Sequence, residues 1–278
     1  AEQSTLAGPA GGQPAVFSAP PAGTSRAEVA AAGAVGIAAA DLRGFAASAC
    51  TPPLMESWLV GGATATGSND IVLLANPGDV AATVDLTVYG ADGPSVPPGG
   101  TGRVVAAGSQ IALPLAGLLL GEESPVVRVS STGAPVRASL QATLTRVLVP
   151  GGVDQVGAIP AASTRQIVPA VTVTAQAGAE NPATIVRLLS PTADASTTVA
   201  VRPVDGSSSG ADYTVPLVAG VPSALALADL APGRYTVTVD APVPVVAAVW
   251  ETTGFGEGAD FAWHVAAPEI SSASVFAV

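Results

Sequence analysis

The sequence contains no lysine, a single histidine, a single cysteine, and only three Trp, three Tyr and five Phe among its 278 residues. Without lysine, the chain can form no lysine Schiff base, and no lysine can contact a nucleotide phosphate or act as a general base. A lone cysteine excludes an intramolecular disulfide and a Cys-rich zinc site. We expect Cys50 to be buried as a small hydrophobic residue, with a free thiol and an intermolecular disulfide as the alternatives.

Positive charge is scarce, because ten arginines stand against 21 acidic residues and the formal net charge is −11. Such a chain is repelled by nucleic acids and by anionic membrane surfaces, since binding to phosphates depends on positive charge. The apolar, uncharged run near the N-terminus, residues 29–40, is too short to span a bilayer, which takes about 20 residues. Residues 1–10 also lack the basic start and apolar core of a signal peptide. We therefore predict no nucleic-acid partner and no membrane insertion by this chain.

Signatures of catalysis are missing as well. His264 is the only histidine, and no serine lies in the G-x-S-x-G pattern of a nucleophile elbow. The adjacent Glu122 and Glu123 are typical of a solvated turn. Asp154 and Asp260 occupy matching positions in two similar segments, which favours a turn-capping role in each over a glycosidase pair. We predict that the protein is not an enzyme and has neither catalytic residues nor a cofactor.

Oxygen ligands for a cation are offered by "GSND" at residues 67–70 and "NPGD" at residues 76–79. Calcium sites in β-rich proteins use such loop residues. Asn and Asp also form turns by accepting hydrogen bonds from their own backbone. Because neither spacing is diagnostic of a metal, we predict turns and no metal site.

An internal repeat is the strongest positive feature of the sequence. "IVLLANPGDVAATVDLTVYGADG" at residues 71–93 is similar to "IVRLLSPTADASTTVAVRPVDG" at residues 185–206. The likeness continues in the same order through three further pairs of segments: 105–119 with 217–231, 124–144 with 233–253, and 151–162 with 256–268. The sequence therefore predicts two copies of one ancestral module.

Each copy has the pattern of β-strands. Residues 83–89 alternate apolar and polar side chains, as do residues 235–239, and this period of two is typical of half-buried strands. Such segments recur between Gly- and Pro-rich turns, as in a β-sandwich. We predict an all-β fold of two tandem immunoglobulin-like β-sandwiches, with little helix beyond single turns at residues 115–123 and 227–233. Proline within the strands, at Pro216, Pro242 and Pro244, predicts that several of them are edge strands.

The repeat also suggests domain boundaries. We predict an N-terminal stalk or extended segment over residues 1–40 that packs on the body, a first sandwich over 41–162 and a second over 163–268. The Ala-rich residues 27–45 are compatible with a helix or a strand. Residues 269–278 resemble the segment that leads into the second copy, and we predict that they fold back on the body as a strand.

Few side chains could contact a ligand. Sugar binding requires exposed aromatic faces, and Trp250 lies in an apolar strand typical of a core. Trp58, Trp263 and the adjacent His264 are weak ligand-contact candidates. Packing in a core or between domains is the alternative for the two tryptophans.

The stretch from Asp41 to Gly93 resembles an uncharacterised family of actinobacterial cell-envelope proteins. The resemblance rests on the following groups: Leu42-Arg43-Gly44, Ala49-Cys50, Trp58-Leu59-Val60-Gly61-Gly62, Asn76-Pro77 and Tyr89-Gly90. Members of that family are similar to secreted proteins tethered by an N-terminal hydrophobic segment, and no activity is assigned to them. The resemblance implies an extracytoplasmic setting and an anchor upstream of Ala1.

Together these observations favour a non-enzymatic extracytoplasmic envelope protein, a tandem β-sandwich scaffold or interaction module. The expected partner is an envelope protein or an envelope glycan. The alternatives are a carbohydrate-binding module for envelope glycan and, with less support, a hydrolase. The sequence does not name the partner or the oligomeric state.

Overall fold

The computed structural model of the chain describes residues 15–21, 23–24, 27–174, 183–206, 210–227, 230–268 and 275. Within these ranges the fold is almost entirely β, with short 3-10 turns at Pro98–Gly100 and Leu115–Gly117. The strands are β1 (Ala32–Ala38), β2 (Arg43–Ala49), β3 (Glu56–Val60), β4 (Ile71–Asn76), β5 (Ala82–Gly90), β6 (Gly93–Ser95), β7 (Arg103–Val105), β8 (Ser109–Pro114), β9 (Val126–Thr132), β10 (Arg137–Arg146), β11 (Val149–Gly157), β12 (Ser163–Val173), β13 (Thr184–Leu189), β14 (Ala195–Pro203), β15 (Ala211–Leu217), β16 (Ser223–Ala226), β17 (Gly233–Thr252) and β18 (Phe261–Val265). The predicted all-β class with little helix is confirmed. In the described part of the chain, no helix has the length and apolarity needed to cross a membrane.

Both copies of the repeat fold with the same strand order. In the first copy, sheet A has the order β11-β10-β4-β8, and sheet B has the order β3-β9-β5-β6 with β7 also paired to β5. In the second copy, sheet C has the order β18-β17-β13-β16, and sheet D has the order β12-β17-β14-β15. All of these pairs are antiparallel. Because equivalent strands take equivalent places, we interpret each copy as one β-sandwich.

Sheets A and B of the first copy enclose a common core. Val84, Leu86 and Val88 alternate along β5 with polar residues, and all three are fully buried. Leu74 on β4 and Leu140 on β10 belong to the same buried cluster from the opposite sheet. Each fully buried side chain of this kind stabilises the fold by about 1.5–3 kcal/mol. The period-2 pattern gives each sheet one apolar face, and burial of these faces against each other stabilises the strands.

Strand β17 is shared by the two sheets of the second copy, and it corrects one prediction. Its first part pairs with β12 and β14 up to Asp240, Val245 pairs with Ser163 of β12 after a register shift, and its second part pairs with β13 from Val246 onward. Pro242 and Pro244 lie between Asp240 and Val245, where the strand passes from sheet D to sheet C. The edge-strand interpretation is wrong for these two prolines, because β17 lies between other strands in both sheets. They are tolerated because, among the described residues, positions 241–244 have no inter-strand partner that needs the missing amide. Pro216, by contrast, lies on the edge strand β15, as predicted.

The N-terminal segment forms a hairpin of β1 and β2, in register from Ala32 with Ala49 to Ala38 with Arg43. The Ala-rich segment is thus a strand rather than a helix, and the predicted boundary at residue 40 falls in the hairpin turn. Of the C-terminal residues 269–278, only residue 275 is described, so the predicted returning strand lies outside the described residues.

Candidate functional site

Trp58 is buried between the two copies. It is 4% exposed, and its ring lies 5.6 Å from the ring of Tyr89 and 5.8 Å from the guanidinium of Arg128. It belongs to the same buried cluster as Val186 and Leu188 of the second copy. Of the two interpretations that the sequence left open for Trp58, the structure supports packing between the domains, because the second copy covers that side of β3.

The other two candidates, Trp263 and His264, lie next to each other on β18. The ring of Trp263 is half-buried, with its centroid 4.6 Å from the guanidinium carbon of Arg187. The Nε2 atom of His264 lies 3.6 Å from Oε1 of Glu251, and the imidazole is partly buried. These side chains face neighbouring elements of the fold, and neither one presents a free aromatic surface.

Arg187 on β13 is the polar centre of the contact between the copies. It is 6% exposed, and it donates hydrogen bonds to the backbone carbonyls of Gly62 at 2.7 Å, Glu123 at 2.9 Å and Pro125 at 3.2 Å. All three carbonyls belong to the first copy. Burial lowers the pKa of the Arg187 guanidinium to about 9, although the negative charge of Asp70 acts in the opposite direction. The guanidinium is therefore still charged at neutral pH, and it fixes the second copy to loops of the first.

Sequence reasoning missed Arg187, although a signal was available. "IVRLLS" contains one arginine in an otherwise apolar strand, and the first copy has "IVLLAN" at the same place. The equivalent of Arg187 is thus Leu73. A charged residue is rarely buried unless it has partners, so an arginine that replaces leucine in one copy indicates an interface specific to that copy.

Asp154 and Asp260 join the edge strands β11 and β18. The carboxylate of Asp154 accepts a hydrogen bond from the amide of Trp263 at 2.6 Å, and that of Asp260 accepts one from the amide of Val153 at 3.1 Å. The second oxygen of Asp260 accepts from the amide of Phe45 at 2.7 Å, which attaches β2 to the same junction. The prediction of turn-capping within each copy is corrected: these carboxylates connect the two copies and the hairpin.

Gly152 is the residue that permits this close junction. Its φ is +125°, and a methyl group there would lie 2.5 Å from Oδ1 of Asp260 and 2.9 Å from the amide nitrogen of Phe261. Gly152→Ala should lower the free energy of unfolding by about 3 kcal/mol or more, because strain and overpacking combine. The control Gly258→Ala has a φ of +79° and open space around it, and it should lose only about 1–2 kcal/mol. Urea denaturation measures both variants. An equal loss of unfolding free energy in Gly152→Ala and Gly258→Ala would contradict the close approach of Gly152 to Asp260 and Phe261.

Two buried carboxyls have raised pKa values. Burial raises the pKa of Asp70 to about 6, and this outweighs the opposing effect of hydrogen bonds from the amides of Thr143 and Ala63. Burial also raises the pKa of Asp154 to about 6, against hydrogen bonds from the amides of Trp263 and Gln155. Both carboxyls accept backbone hydrogen bonds at loop and edge positions, and these bonds hold the neighbouring segments together.

The turn at residues 76–79 acts as predicted, whereas Asp70 of residues 67–70 bonds the distant amides of Ala63 and Thr143. The side-chain amide of Asn76 donates to the carbonyls of Val80 and Val105, and its oxygen accepts from the amide of Gly78. These bonds close the turn between β4 and β5. Among the described residues, no group of three or more His, Cys, Asp or Glu side chains is placed to hold a metal ion.

A cavity of about 1060 Å³ lies between the N-terminal hairpin and the face of sheet A that points away from the core. Leu73, Ser139 and Gln141 of sheet A line one side, and Val35 and Ile37 of β1 line the other. The equivalent face of sheet C, which carries Arg187, packs against the first copy. In the first copy, the equivalent face of sheet A is covered by the two-stranded hairpin of β1 and β2. The hairpin does not fill the space above the sheet, and the cavity remains between them.

Cys50 lies at the edge of this cavity, and its thiol is free and exposed. The expectation that Cys50 is buried is wrong, because the residue follows β2 and lies outside both sheets of the first copy.

The turn between β10 and β11 has an unusual composition. Arg146 pairs with Val149, so Val147 and Leu148 are the two turn residues, and they are 94% and 89% exposed. Val147 has a φ of +59°, a value that is strained for a β-branched residue and that glycine usually occupies in two-residue hairpins. We call Val147 and Leu148 the hairpin tip. A neighbouring depression of about 300 Å³ contains both Arg43 and Glu257.

Comparison with known proteins identifies one family, the Family of unknown function (DUF5719), whose model matches residues 5–278. No curated protein matches the chain, and no solved structure does. The resemblance to a family without an assigned activity is thereby confirmed, whereas its actinobacterial origin and secretion stay predictions.

Proposed function

Because this chain belongs to a family of unknown function, we propose from its own geometry that it is a non-enzymatic interaction module of the cell envelope, outside the cytoplasm. Its hairpin tip inserts into an apolar pocket of a protein partner. The single observation that carries this proposal is the tip itself, where two apolar residues occupy an exposed and strained turn. A strained backbone conformation such as the positive φ of Val147 persists only where the surrounding structure enforces it, and such residues are often found at binding sites.

The surroundings of the tip support a protein partner over a charged surface. Arg43 and Glu257 line the adjacent depression, so both signs of charge are present. Arg146 at the base of the turn lies 5.4 Å from the ring of the exposed Phe255. An apolar projection with mixed charge around it is the usual composition of a protein interface with a central anchor.

Neither alternative function gains support from the residues that the sequence suggested for it. A carbohydrate-binding module needs open aromatic faces, but Trp58 is buried and Trp263 lies under a guanidinium. For a hydrolase, the carboxylates of Asp154 and Asp260 are already engaged by backbone amides.

A photo-crosslinking amino acid at position 148, with one at position 120 as the control, tests the proposal in envelope extract. Leu120 is a second exposed leucine, 81% accessible, in the loop that follows the 3-10 turn at Leu115–Gly117. We expect a discrete crosslinked protein from position 148 and none from position 120. That product should disappear when unlabelled wild-type protein competes, and it should survive competition by Leu148→Ser. Crosslinking to the same protein from both positions, or capture that Leu148→Ser still blocks, contradicts the proposal.

Val147→Gly separates stability from binding. Glycine adopts positive φ without strain, so the free energy of unfolding should rise by about 0.5–1 kcal/mol after the entropy of the unfolded glycine is included. Partner capture should weaken, because an apolar contact is lost. Chemical denaturation measures the first effect and crosslinking yield the second. A destabilised Val147→Gly variant would show that the turn is not strained.

A further inference from the structure

The cavity under the N-terminal hairpin has the dimensions of a ligand site. At about 1060 Å³ it lies just above the range of roughly 300–1,000 Å³ seen for small-molecule pockets. Apolar side chains of the N-terminal segment, Val16, Phe17 and Val35, line it and are substantially exposed. Apolar surface that is gathered around a cavity and left accessible is typical of a binding site.

The length of the cavity follows the strands of sheet A. Arg137 lines it at the start of β10, and Val153, which pairs with Thr143, lines it toward the other end of that strand. Six strand residues separate positions 137 and 143, a distance of about 20 Å. The hydrocarbon core of a bilayer is two acyl chains thick and about 30 Å deep, so one chain extends about 15 Å. An extended acyl chain therefore fits along the sheet.

One end of the cavity carries a positive charge that lacks an acidic partner. Arg137 donates to the hydroxyl of Ser48 and the carbonyl of Ala49, both at 3.2 Å, and to the hydroxyl of Ser139 at 3.4 Å. These acceptors are neutral, and no ion pair of Arg137 is found in the described ranges. Hydrogen bonds from a guanidinium to a carboxylate are stronger than those to neutral acceptors, so an anionic group is favoured at Arg137.

We infer that the cavity binds a long-chain carboxylate amphiphile, with the chain between the hairpin and sheet A and the carboxylate at Arg137. This inference does not depend on the hairpin tip, which lies at the opposite end of β10. A bound ligand would explain the difference between the two copies. The outer face of sheet C packs against the first copy, whereas the equivalent face of sheet A is covered only by the hairpin. Glu28 and Asp154 also line the cavity, but the carboxylate of Asp154 is engaged by two backbone amides.

Cys50 supplies a direct readout, because it is the only cysteine and its exposed thiol lines the cavity. The full chain is titrated with hexadecanoate below its micelle concentration, and the rate of Cys50 alkylation is measured. We expect saturable protection of at least about tenfold. Octanoate should protect far less, since removing two methylenes weakens binding by about tenfold. Methyl hexadecanoate should bind about tenfold more weakly than the carboxylate, because it lacks the charge.

Two variants at the charged end test the role of Arg137. Arg137→Met should abolish the preference for carboxylate over ester while chain-length dependence remains. Ser48→Ala removes one neutral acceptor, keeps the charge, and should retain the preference. If Arg137→Met fails to fold, the carboxylate–ester comparison on the wild-type protein still decides the question.

Several outcomes would overturn the inference. These are absence of Cys50 protection by hexadecanoate, equal protection by octanoate and hexadecanoate, and an unchanged carboxylate preference in Arg137→Met. Loss of hexadecanoate binding in Leu148→Ser would place the site at the hairpin tip instead. Intact hexadecanoate binding in that variant, together with lost partner capture, would support both proposals as separate sites.

Discussion

Arg187→Leu should lower the free energy of unfolding by about 3–5 kcal/mol. The substitution leaves the carbonyls of Gly62, Glu123 and Pro125 without their donor in a buried contact. It also removes the guanidinium from the ring of Trp263, which lies 4.6 Å away. Urea unfolding followed by tryptophan fluorescence measures the loss, and Trp263 reports on this contact directly.

The comparison needs a charge-matched control and a conservative variant. Arg165→Leu removes an exposed arginine that lies 3.6 Å from Asp240, and it should change stability by no more than about 0.5 kcal/mol. Arg187→Lys keeps the charge but loses the planar fork of donors, so its loss should be intermediate. A loss below about 1 kcal/mol for Arg187→Leu would mean that the two copies do not depend on this residue for their contact.

Lowering the pH from 7.5 to about 4.5 should stabilise the protein through Asp70 and Asp154. Both carboxyls have pKa values raised by burial from 3.8 to about 6. Between these values the folded protein binds protons that the unfolded chain has released, so stability increases as the pH falls through 6. The gain nears completion at about pH 4 and amounts to as much as about 3 kcal/mol for each carboxyl.

Asparagine variants assign this pH dependence. Asp70→Asn and Asp154→Asn should each reduce the rise in unfolding free energy between pH 7.5 and 4.5 by about half, and the double variant should remove most of it. Urea denaturation at several pH values provides the measurement. Stability that falls steadily across this interval in the wild type, or a rise that survives in the double variant, would show that these carboxyls are not desolvated in the folded state.

Local patterns were read correctly from the sequence. The alternation at residues 83–89 identified β5, because a half-buried strand needs one apolar face whatever it packs against. The turn role of Asn76 also followed from its chemistry, since an Asn side chain bonds the backbone two residues away. The repeat predicted two copies of one module, and the two copies fold with the same strand order because equal patterns bury equal faces.

Predictions failed where the outcome depended on a distant partner. For Trp58 the sequence left exposure and packing between the domains both open, and only the fold showed that the second copy covers it. Pro242 and Pro244 were assigned to an edge, although β17 is central to both sheets and changes sheets at these residues. Cys50 was expected in a core, yet it follows a hairpin that lies outside both sheets of the first copy. A short-range sequence pattern does not indicate which face of a sheet is covered by another domain.

The sequence by itself determined the all-β class, the duplicated module, the turns and the scarcity of catalytic residue types, because these depend on composition and on short-range periodicity. Only the tertiary structure decided how the copies meet through Arg187, where the hairpin leaves a cavity, and which apolar residues stay exposed at the tip. These features arise from contacts between residues far apart in the chain. Their energies depend on burial and desolvation, which exist only once the chain has folded.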